Sequence, residues 1–264
     1  MEVIICHDAD QVGVIGAAKV AQIARQVGLD VVLGVATGSS PLAMYQHLGE
    51  LVERGVLNLS RASAFALDEY VGLAVDHPES YHATIDRTVT QPLHLDPARV
   101  HVPDGSAEGL EMAGPRYDQA IATAGGVDVQ ILGIGANGHI GFNEPSSSLS
   151  SRTRVTTLSA RTRADNARFF GSEDQVPWHC ITQGIGTIME ARNLVLVATG
   201  EHKADAIAAC VEGPITSMCP ASVLQMHQQA TVIIDDAAAG KLKMADYYKL
   251  VHELLPDWQK LDIE

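Results

Sequence analysis

The sequence predicts an α/β fold with a single domain, built on a mostly parallel open sheet with helices on both faces. Short apolar runs of strand length alternate along the chain with longer stretches of helix length, and this alternation favours parallel strands joined by crossover helices. Of the 264 residues, 46% are hydrophobic, which is enough for one large core. Because no internal repeat, Pro-rich linker or break in composition interrupts the pattern, we expect one domain over residues 1–264.

Capping residues and glycines set the limits of the elements in the first half of the chain. Asp8 is suited to cap a helix that stops at Gly28. Pro41 is suited to the first position of the next helix, with Ser40 as its N-cap, and Gly125 follows a fourth helix. The predicted strands are 3–6, 31–36, 62–67 and 100–102, and the predicted helices are 8–27, 41–54, 78–90 and 107–124.

The second half of the chain continues the alternation but contains one irregular region. Apolar runs predict strands at 127–132, 193–198 and 231–234, and helices follow the last two, at 203–211 and 237–255. Between residues 146 and 190 the pattern weakens, and we expect a short extended piece followed by a helix at about 160–170. We predict that this region, about 146–190, is an embedded flap over the site.

Charge and composition exclude several kinds of partner. The net charge is −14, from 32 acidic and 18 basic side chains, so the surface repels nucleic acid and anionic membranes. No apolar run is long enough to span a bilayer, and the N-terminus lacks the features of a signal peptide. The cysteines form no C-x-x-C pair and are expected to be buried free thiols of a cytoplasmic protein, with a catalytic role as the lesser alternative. They are Cys6, Cys180, Cys210 and Cys219.

Four unusual loops follow predicted strands. They read TGSSP from Thr37, DEYVGL from Asp68, GIGANGHIGFNEP from Gly133 and TGEHK from Thr199. In an open parallel sheet, ligands bind beyond the carboxyl ends of the strands. Since all four loops leave their strands at the same edge of the sheet, we expect them to form one site.

The first of these loops has the features of a phosphate site. Its glycine lets the backbone approach a ligand, its three hydroxyls are donors, and the helix that follows offers free N–H groups. An ordinary capped helix without a ligand is the alternative. The residues concerned are Thr37, Gly38, Ser39 and Ser40.

Two cations are candidates for the same phosphate. Lys203 lies in the first turn of a predicted helix, where it opposes the helix dipole unless an anion lies between them. Arg168 lies on the predicted helix of the flap, with Arg161 seven residues earlier on the same face. For both Lys203 and Arg168, a solvated surface side chain is the alternative explanation.

The third loop matches G-x-G-x-x-G at Gly133–Gly138 but does not predict a dinucleotide site. Such a site needs a helix that begins inside the motif and an acidic residue about 20 positions later. Pro145 and a run of serines follow instead, and then Arg152 and Arg154. The glycines are better explained by a tight loop that brings His139 near a ligand.

Acid–base groups occur in the second and third loops. Glu144 lies five residues after His139, where a carboxylate can fix the tautomer of the imidazole and raise its basicity. Asp68 follows an apolar strand, and a carboxylate at such a place can have a raised pKa and act as a base. A structural loop histidine and a turn aspartate are the alternatives. Since neither the pair His139 and Glu144 nor the pair His77 and His82 has the spacing of a helical zinc motif, we expect no metal.

The motifs LDEYVGL, HPESYH and GIGANGHIGFNEP resemble the glucosamine-6-phosphate deaminase family. The resemblance continues through SSSLSSRTR, the R-x-x-N-x-R-F-F segment and the lysine of TGEHK, and it spans nearly the whole chain. It implies a modified Rossmann-like domain that converts glucosamine-6-phosphate and water to fructose-6-phosphate and ammonia. It also implies that this occurs in the cytoplasm, as a step of amino-sugar breakdown, without a metal or cofactor.

The resemblance further implies a role for individual residues. Asp68 would move a proton between C2 and C1 of the opened sugar, and His139 would move the proton that opens the ring. Glu144 would orient His139 and favour its charged form, and Tyr81 would contact Asp68 without itself taking part in the proton transfer. The residues implied for the phosphate are Thr37, Gly38, Ser39, Ser40, Arg168 and Lys203.

Two positions depart from the family pattern. Many members have an aspartate where this chain has Asn137, which can orient His139 but cannot carry charge. The regulated hexameric members have R-x-K at their site for N-acetylglucosamine-6-phosphate, where this chain reads Arg154-Val155-Thr156. The resemblance therefore carries over neither this regulation nor the assembly, and both monomer and homo-oligomer stay open.

Two other functions compete with the deaminase. A 6-phosphogluconolactonase resembles this fold and binds a similar phosphate, but the pairing of Asp68 with the HIGFNE loop favours the deaminase. A non-catalytic sugar-phosphate sensor is the second alternative. It would usually carry a DNA-binding segment, and this acidic chain has no basic helix-turn-helix.

Overall fold

The computed structural model describes residues 1–106 and 108–261. The strands are β1 (Glu2–Cys6), β2 (Val32–Val35), β3 (Ser63–Ala66), β4 (Asp68–Tyr70), β5 (Val100–His101), β6 (Val129–Leu132), β7 (Arg154–Thr157), β8 (His179–Thr182), β9 (Asn193–Ala198) and β10 (Ala230–Asp235). The α-helices are α1 (Ala9–Val27), α2 (Leu42–Glu53), α3 (Tyr81–Ile85), α4 (Leu110–Thr123), α5 (Ala160–Phe170), α6 (Ile185–Met189), α7 (Ala204–Val211) and α8 (Ala245–Glu253).

The main sheet has seven parallel strands in the order β1-β10-β9-β6-β2-β3-β5, which confirms the predicted fold class. Its two faces are buried in separate apolar clusters. On β9, Leu194 and Leu196 point to one face, which is covered by α4, α6 and α7. Val195 and Val197 point to the other face, which is covered by α1 and α2. Burial on both faces explains why the strands read as continuous apolar runs.

A second, antiparallel sheet of three strands, in the order β4-β8-β7, lies beyond the edge of the main sheet. The predicted strand 62–67 ends where Leu67 donates its N–H to Val35, and the chain then passes directly into β4. Asp68 is therefore not the end of a strand of the main sheet but the first residue of β4, paired with Thr182. The prediction of a loop at DEYVGL is wrong at its first three residues, because the pairing partner lies far away in the sequence.

Residues 146–190 contain the predicted extended piece and helix, as β7 and α5. They also contain β8, which pairs with both β4 and β7, and α6, whose Ile185 and Ile188 are buried in the main core. Tyr70, Phe142 and Phe170 pack between the small sheet and α5. The role of this region as a flap stays a prediction.

Several helix limits differ from the predicted ones. The segment 78–90 is one short α-helix, α3, continued by a π-helical turn at Asp86–Thr90. Helix α4 begins after Gly109, which has a φ of 67°, and Ala107, where we expected it to begin, lies outside the described residues. Helix α8 begins only at Ala245, after a series of turns.

The predicted caps of α1 are observed, but the predicted N-cap of α2 is not. Asp8 accepts a hydrogen bond from the N–H of Gln11 at 2.9 Å, and Gly28 ends α1 with a φ of 99°, as predicted. Ser40 is not the N-cap of α2, because the first intrahelical bond goes from Tyr45 to the carbonyl of Pro41, and no side chain in the described part of the chain caps this helix. The hydroxyl of Ser40 is thereby left at the cavity described below.

Two further expectations concern the chain as a whole. All four cysteines, each within the described residues, are buried and unpaired, which confirms the prediction of free thiols. Among residues 1–106 and 108–261, no helix combines the length and the apolar character needed to cross a membrane.

Candidate active site

A cavity of about 390 Å³ opens at the carboxyl edge of the main sheet. The loops that follow β2, β3, β6 and β9 all line it, so the expected convergence of the four loops is observed. Helix α5 closes one side with Arg161, Thr162, Asp165, Asn166 and Arg168. The predicted site residues that line the cavity are Thr37, Gly38, Ser39, Ser40, Asp68, Tyr81, His139, Arg168 and Lys203. Asn137 and Glu144 are not among its lining residues and lie behind His139.

Asp68 presents an isolated carboxylate to the cavity. It is 5% exposed, and no group in the described part of the chain donates a hydrogen bond to it. Burial, followed by the charge of the neighbouring Glu69, raises the pKa of Asp68 to about 8. A carboxyl group with such a pKa can both accept and return a proton near neutral pH.

The loop that carries His139 passes close to Asp68. Gly141 has a φ of 55°, and a Cβ atom at this position would lie 3.4 Å from Oδ2 of Asp68 and 2.9 Å from Oγ1 of Thr182. A side chain at Gly141 would therefore displace Thr182 or crowd the carboxylate. This glycine allows the second and third loops to face the same cavity.

His139 is linked to Glu144 through Asn137. Nδ1 of His139 lies 2.7 Å from Oδ1 of Asn137, whose amide nitrogen donates to Oε2 of Glu144 at 2.8 Å. The direct distance from Nδ1 to Oε2 is 3.8 Å, so the predicted contact between Glu144 and His139 is relayed rather than direct. Because Oδ1 of Asn137 also accepts the backbone N–H of His139 at 3.2 Å, the amide orientation is fixed, the proton is on Nδ1 and Nε2 is free to accept one.

Burial and charge oppose one another at His139. Burial lowers the pKa of His139, and it outweighs the charge of Glu144, which raises the pKa as we expected. At Glu144, burial would raise the pKa, but hydrogen bonds from Thr162, Asn137 and Ser159 bring it below its usual value. His139 is thus held neutral and Glu144 ionised at neutral pH.

The glycines of GIGANG give the loop the tight shape that the sequence predicted. Gly138 has a φ of 85°, a backbone conformation that favours glycine. A Cβ atom at Gly135 would lie 2.2 Å from Cε1 of His139, so the imidazole ring lies directly against the backbone of Gly135. The position of the ring therefore depends on a glycine, which the motif alone did not reveal.

The candidate phosphate-binding groups all line the cavity. They include Gly38, which has a φ of 99°, and the three hydroxyl-bearing residues of its loop. Lys203 donates to the carbonyl of Ile134 at 2.7 Å, and burial, followed by the charge of Arg168, lowers its pKa. Arg168, on α5, contributes the second cation. Because the charge of Arg168 disfavours the charged form of Lys203, an anion placed near both side chains would be bound favourably.

Helix α5 is attached to Glu144, a contact that the sequence analysis did not find. The N-cap residue Ser159 donates its hydroxyl to Oε1 of Glu144 at 2.9 Å, and the hydroxyl of Thr162 donates to the same oxygen. A carboxylate at a helix N-terminus also interacts favourably with the helix dipole. Ser159 as an N-cap could have been read from the sequence, but its pairing with Glu144 could not.

Tyr81 lines the cavity from the side of the small sheet. Its ring packs between Tyr70, at a centroid distance of 4.8 Å, and Phe142, at 5.8 Å. The hydroxyl of Tyr70 accepts a hydrogen bond from Asn166 of α5 at 2.9 Å. Tyr81 thus lies between Asp68, the His139 loop and α5.

The chain matches the family model described as glucosamine-6-phosphate isomerases/6-phosphogluconolactonase over residues 8–233. It is 60% identical to a glucosamine-6-phosphate deaminase of Cutibacterium acnes over 249 residues, which is 94% of this chain and 95% of the relative. It is 56% identical to a glucosamine-6-phosphate deaminase of Streptomyces avermitilis over 260 residues, covering 98% and 99% of the two chains.

Solved structures agree with this result. A structure of a monomeric glucosamine-6-phosphate deaminase matches with a TM-score of 0.88 at 40% identity, and the match covers 91% of this chain and 100% of the other. The 6-phosphogluconolactonase of Trypanosoma cruzi matches with a TM-score of 0.72, covering 92% and 97% of the chains, but at 18% identity it shares the fold alone.

Proposed function

Since the chain belongs to the family of glucosamine-6-phosphate isomerases and 6-phosphogluconolactonases, we propose that it is a glucosamine-6-phosphate deaminase. It converts glucosamine-6-phosphate and water to fructose-6-phosphate and ammonia, a step of amino-sugar metabolism. One observation carries the proposal: Asp68 and His139 line the same cavity as a hydroxyl-rich loop and two cations. An aldose–ketose isomerisation needs this combination, because a weakly acidic C–H proton must be moved on a sugar that is held in place.

The first step is the opening of the sugar ring by His139. Its free Nε2 accepts the proton of the hydroxyl on C1 and returns it to the ring oxygen, which breaks the bond between C1 and that oxygen and leaves an aldehyde. The neutral state of the imidazole, which burial favours, suits this exchange. Asn137 holds the tautomer, and the ionised Glu144 stabilises the transient positive charge through it.

The second step is the proton transfer from C2 to C1 by Asp68. Its carboxylate removes the C2 proton while the oxygen on C1 takes a proton from the ammonium group, which gives an enolamine. Asp68 then returns its proton to C1, and the nitrogen lone pair forms a C=N bond at C2. A carboxyl group with a pKa near 8 is well matched to both halves of this transfer.

Hydrolysis completes the reaction. Water adds to C2 of the protonated imine and one of its protons passes to the nitrogen. The nitrogen then leaves as ammonia, the second water proton is released, and C2 becomes the ketone of fructose-6-phosphate. Because water is consumed and a C–N bond breaks, the net reaction is a hydrolysis preceded by an isomerisation. All steps use acid–base groups of the chain, so we expect full activity in the presence of a metal chelator such as EDTA.

The hydroxyl loop, Arg168 and Lys203 are assigned to the phosphate of the substrate. They lie around the same cavity as Asp68 and His139, and their cationic side chains lack a carboxylate within ion-pair distance among the described residues. A bound phosphate dianion would satisfy both charges. The cytoplasm is the expected location, since the four buried thiols are unpaired.

The test of this function is a coupled assay for both products. Wild-type protein is expected to release ammonia and fructose-6-phosphate in equal amounts from glucosamine-6-phosphate, and to leave 6-phosphogluconolactone unchanged. Asp68→Asn is expected to keep its KM and to lose at least about 100-fold in kcat, as for the loss of a general base. Asp76→Asn, at an exposed position nearby, is the control. Lactone hydrolysis without ammonia release would support the lactonase, and binding without turnover would support a sensor.

A further inference from the structure

Glu69 is a buried carboxylate next to Asp68 that has no part in the mechanism above. It is 6% exposed. Its Oε1 accepts the backbone N–H groups of Tyr70 at 2.7 Å and Tyr81 at 2.9 Å, and its Oε2 accepts the N–H of His82 at 2.9 Å. Glu69 therefore ties β4 to the first turn of α3.

Asp68 and Glu69 point in opposite directions from β4. Side chains alternate between the two sides of a strand, so Asp68 points into the cavity and Glu69 points away from it, toward α3. Behind Glu69, the backbone at Gly105 approaches so closely that a Cβ atom there would lie 3.3 Å from Cγ of Glu69 and 2.2 Å from the carbonyl oxygen of Tyr70. The Glu69 side chain is thus held in one place by its surroundings.

The two carboxylates have opposite environments. Burial raises the pKa of Glu69, but three backbone N–H groups and His82 oppose this rise. Asp68 receives no such hydrogen bond in the described part of the chain, and the charge of Glu69 adds to the effect of burial on it. Of the two, Asp68 is therefore the group that takes up a proton first as the pH falls.

The charged and titratable neighbours of this pair come from few elements. Around Glu69 they are Asp68 on β4 and Tyr81 and His82 on α3. Around Asp68 they are Glu69 and Tyr70 on β4, Tyr81 on α3, Tyr117 on α4 and Cys180 on β8. The cavity in front of Asp68 also holds His139, Arg161, Asp165, Arg168, His202 and Lys203. These cavity groups are common to the wild type and to the variants below, so they do not enter the difference between them.

We propose that Glu69 is a positioning residue for the proton transfer at C2: its carboxylate, held by three backbone amides, fixes Tyr81 in the cavity wall and places a negative charge behind Asp68. This inference rests on the proposed function, because it concerns the step that Asp68 performs. The negative charge makes Asp68 a stronger base than burial alone would. The fixed Tyr81 ring, packed against Tyr70 and Phe142, keeps the His139 loop in register with Asp68.

The test is Glu69→Gln, which removes the charge and retains most of the volume. We expect the acid limb of kcat/KM to move at least about half a pH unit lower, because Asp68 without the charge behind it loses its proton at lower pH. We expect kcat on the plateau to fall about 3-fold to 10-fold, since the base is weaker, while KM changes less than 2-fold. Glu79→Gln removes a charge from the same segment and is expected to change none of these values.

A measurement without turnover separates this inference from the proposed function. In 13C NMR of the labelled protein, the Asp68 carboxyl is expected to titrate at lower pH in Glu69→Gln than in the wild type. An unchanged titration of Asp68 in the folded variant overturns the inference, even if the wild type forms fructose-6-phosphate. If the variant does not fold, the titration of the wild type tests the inference instead. The inference is overturned if Glu69 takes up a proton in the same pH range as Asp68 or at higher pH. Failure of the wild type to form fructose-6-phosphate would instead refute the proposed function.

Discussion

At the scale of single residues, the local surroundings separate two carboxylates that the sequence presents alike. Asp68 lies in a buried position with no donor among the described residues, and its pKa is raised to about 8. Glu144 receives hydrogen bonds from Asn137, Ser159 and Thr162, and its pKa is lowered. The first group can exchange a proton near neutral pH, whereas the second stays charged. Whether a carboxylate acts as a base or stays ionised is thus determined by the hydrogen-bond donors around it, not by its residue type.

The raised pKa of Asp68 predicts a stability that depends on pH. The pKa of Asp68 rises from 3.8 to about 8 on folding, so between these values the native state keeps a proton that the unfolded chain releases. Stability is therefore lost progressively as the pH rises from about 4 to about 8. The amide in Asp68→Asn is neutral in both states, so this variant does not lose stability in this way. The difference in Tm, variant minus wild type, should therefore be larger at pH 8.5 than at pH 5 by about 5 °C or more. A constant difference, measured by calorimetry, would contradict the raised pKa.

Asn137 gives a second prediction at this scale. In Asn137→Asp, a carboxylate replaces the neutral amide that lies 2.7 Å from Nδ1 of His139, so the pKa of His139 should rise by at least about one unit. The same change puts two carboxylates side by side where Asn137 now donates to Glu144 at 2.8 Å, so the Tm should fall. The imidazole 15N shifts of labelled protein, followed with pH, measure the first effect. Asn137→Ser, which adds no charge, is the control and should leave the pKa of His139 within about half a unit.

At the scale of elements, α5 connects the two halves of the site. Its N-terminus is held by Glu144 through Ser159 and Thr162, and its later turns bring Arg168 to the cavity. Glu144 is also the end of the relay from His139. The group proposed to stabilise the charge on the imidazole is therefore the same group that anchors the helix proposed to hold the phosphate.

This shared anchor predicts that loosening the start of α5 weakens substrate binding. Thr162→Val keeps the shape of the side chain but cannot donate to Glu144. We expect KM for glucosamine-6-phosphate to rise at least about 3-fold and the free energy of unfolding to fall by about 1.5–3 kcal/mol, the range for a hydrogen bond to a charged group. Asp8→Ala removes the cap of α1, far from α5 in the sequence, and should cost about 1 kcal/mol without changing KM. Equal effects of both variants on KM would show that α5 is not specifically involved.

The elements also show what could be predicted from the sequence and why the rest could not. The limits of α1, α5 and β9 agree with the prediction. For α1 the signals are local, because Asp8 begins the helix and Gly28 ends it. The strand β4 was missed because it is defined by pairing with β8, more than a hundred residues away. The orientation of His139 by Asn137 was expected, but the hydrogen bonds from Asn137 and Ser159 to Glu144 were not. Spacing in the sequence places residues in one loop but does not determine which of their atoms form hydrogen bonds.

At the scale of the whole molecule, the chain must bind a phosphate dianion despite its own charge of −14. The surface as a whole repels such a ligand. The cavity counters this repulsion locally, with two cations, a glycine-containing loop and the hydroxyls that line it. Burial, followed by the charge of Arg168, lowers the pKa of Lys203, so an anion beside Lys203 would favour its charged form.

Binding of an anion near Arg168 and Lys203 is therefore expected to stabilise the folded protein strongly. A ligand that binds only the native state at 100 times its Kd adds about 2.7 kcal/mol, and in a protein of this size each kcal/mol raises the Tm by about 2–4 °C. Saturating fructose-6-phosphate should therefore raise the Tm by about 5–10 °C, and fructose without a phosphate by less than about 1 °C. Arg168→Ala and Lys203→Ala should each lose most of this shift, whereas Arg87→Ala, an exposed cation of the π-helical turn, should retain it. Equal shifts with fructose and fructose-6-phosphate would place the binding energy in the sugar rather than in the two cations.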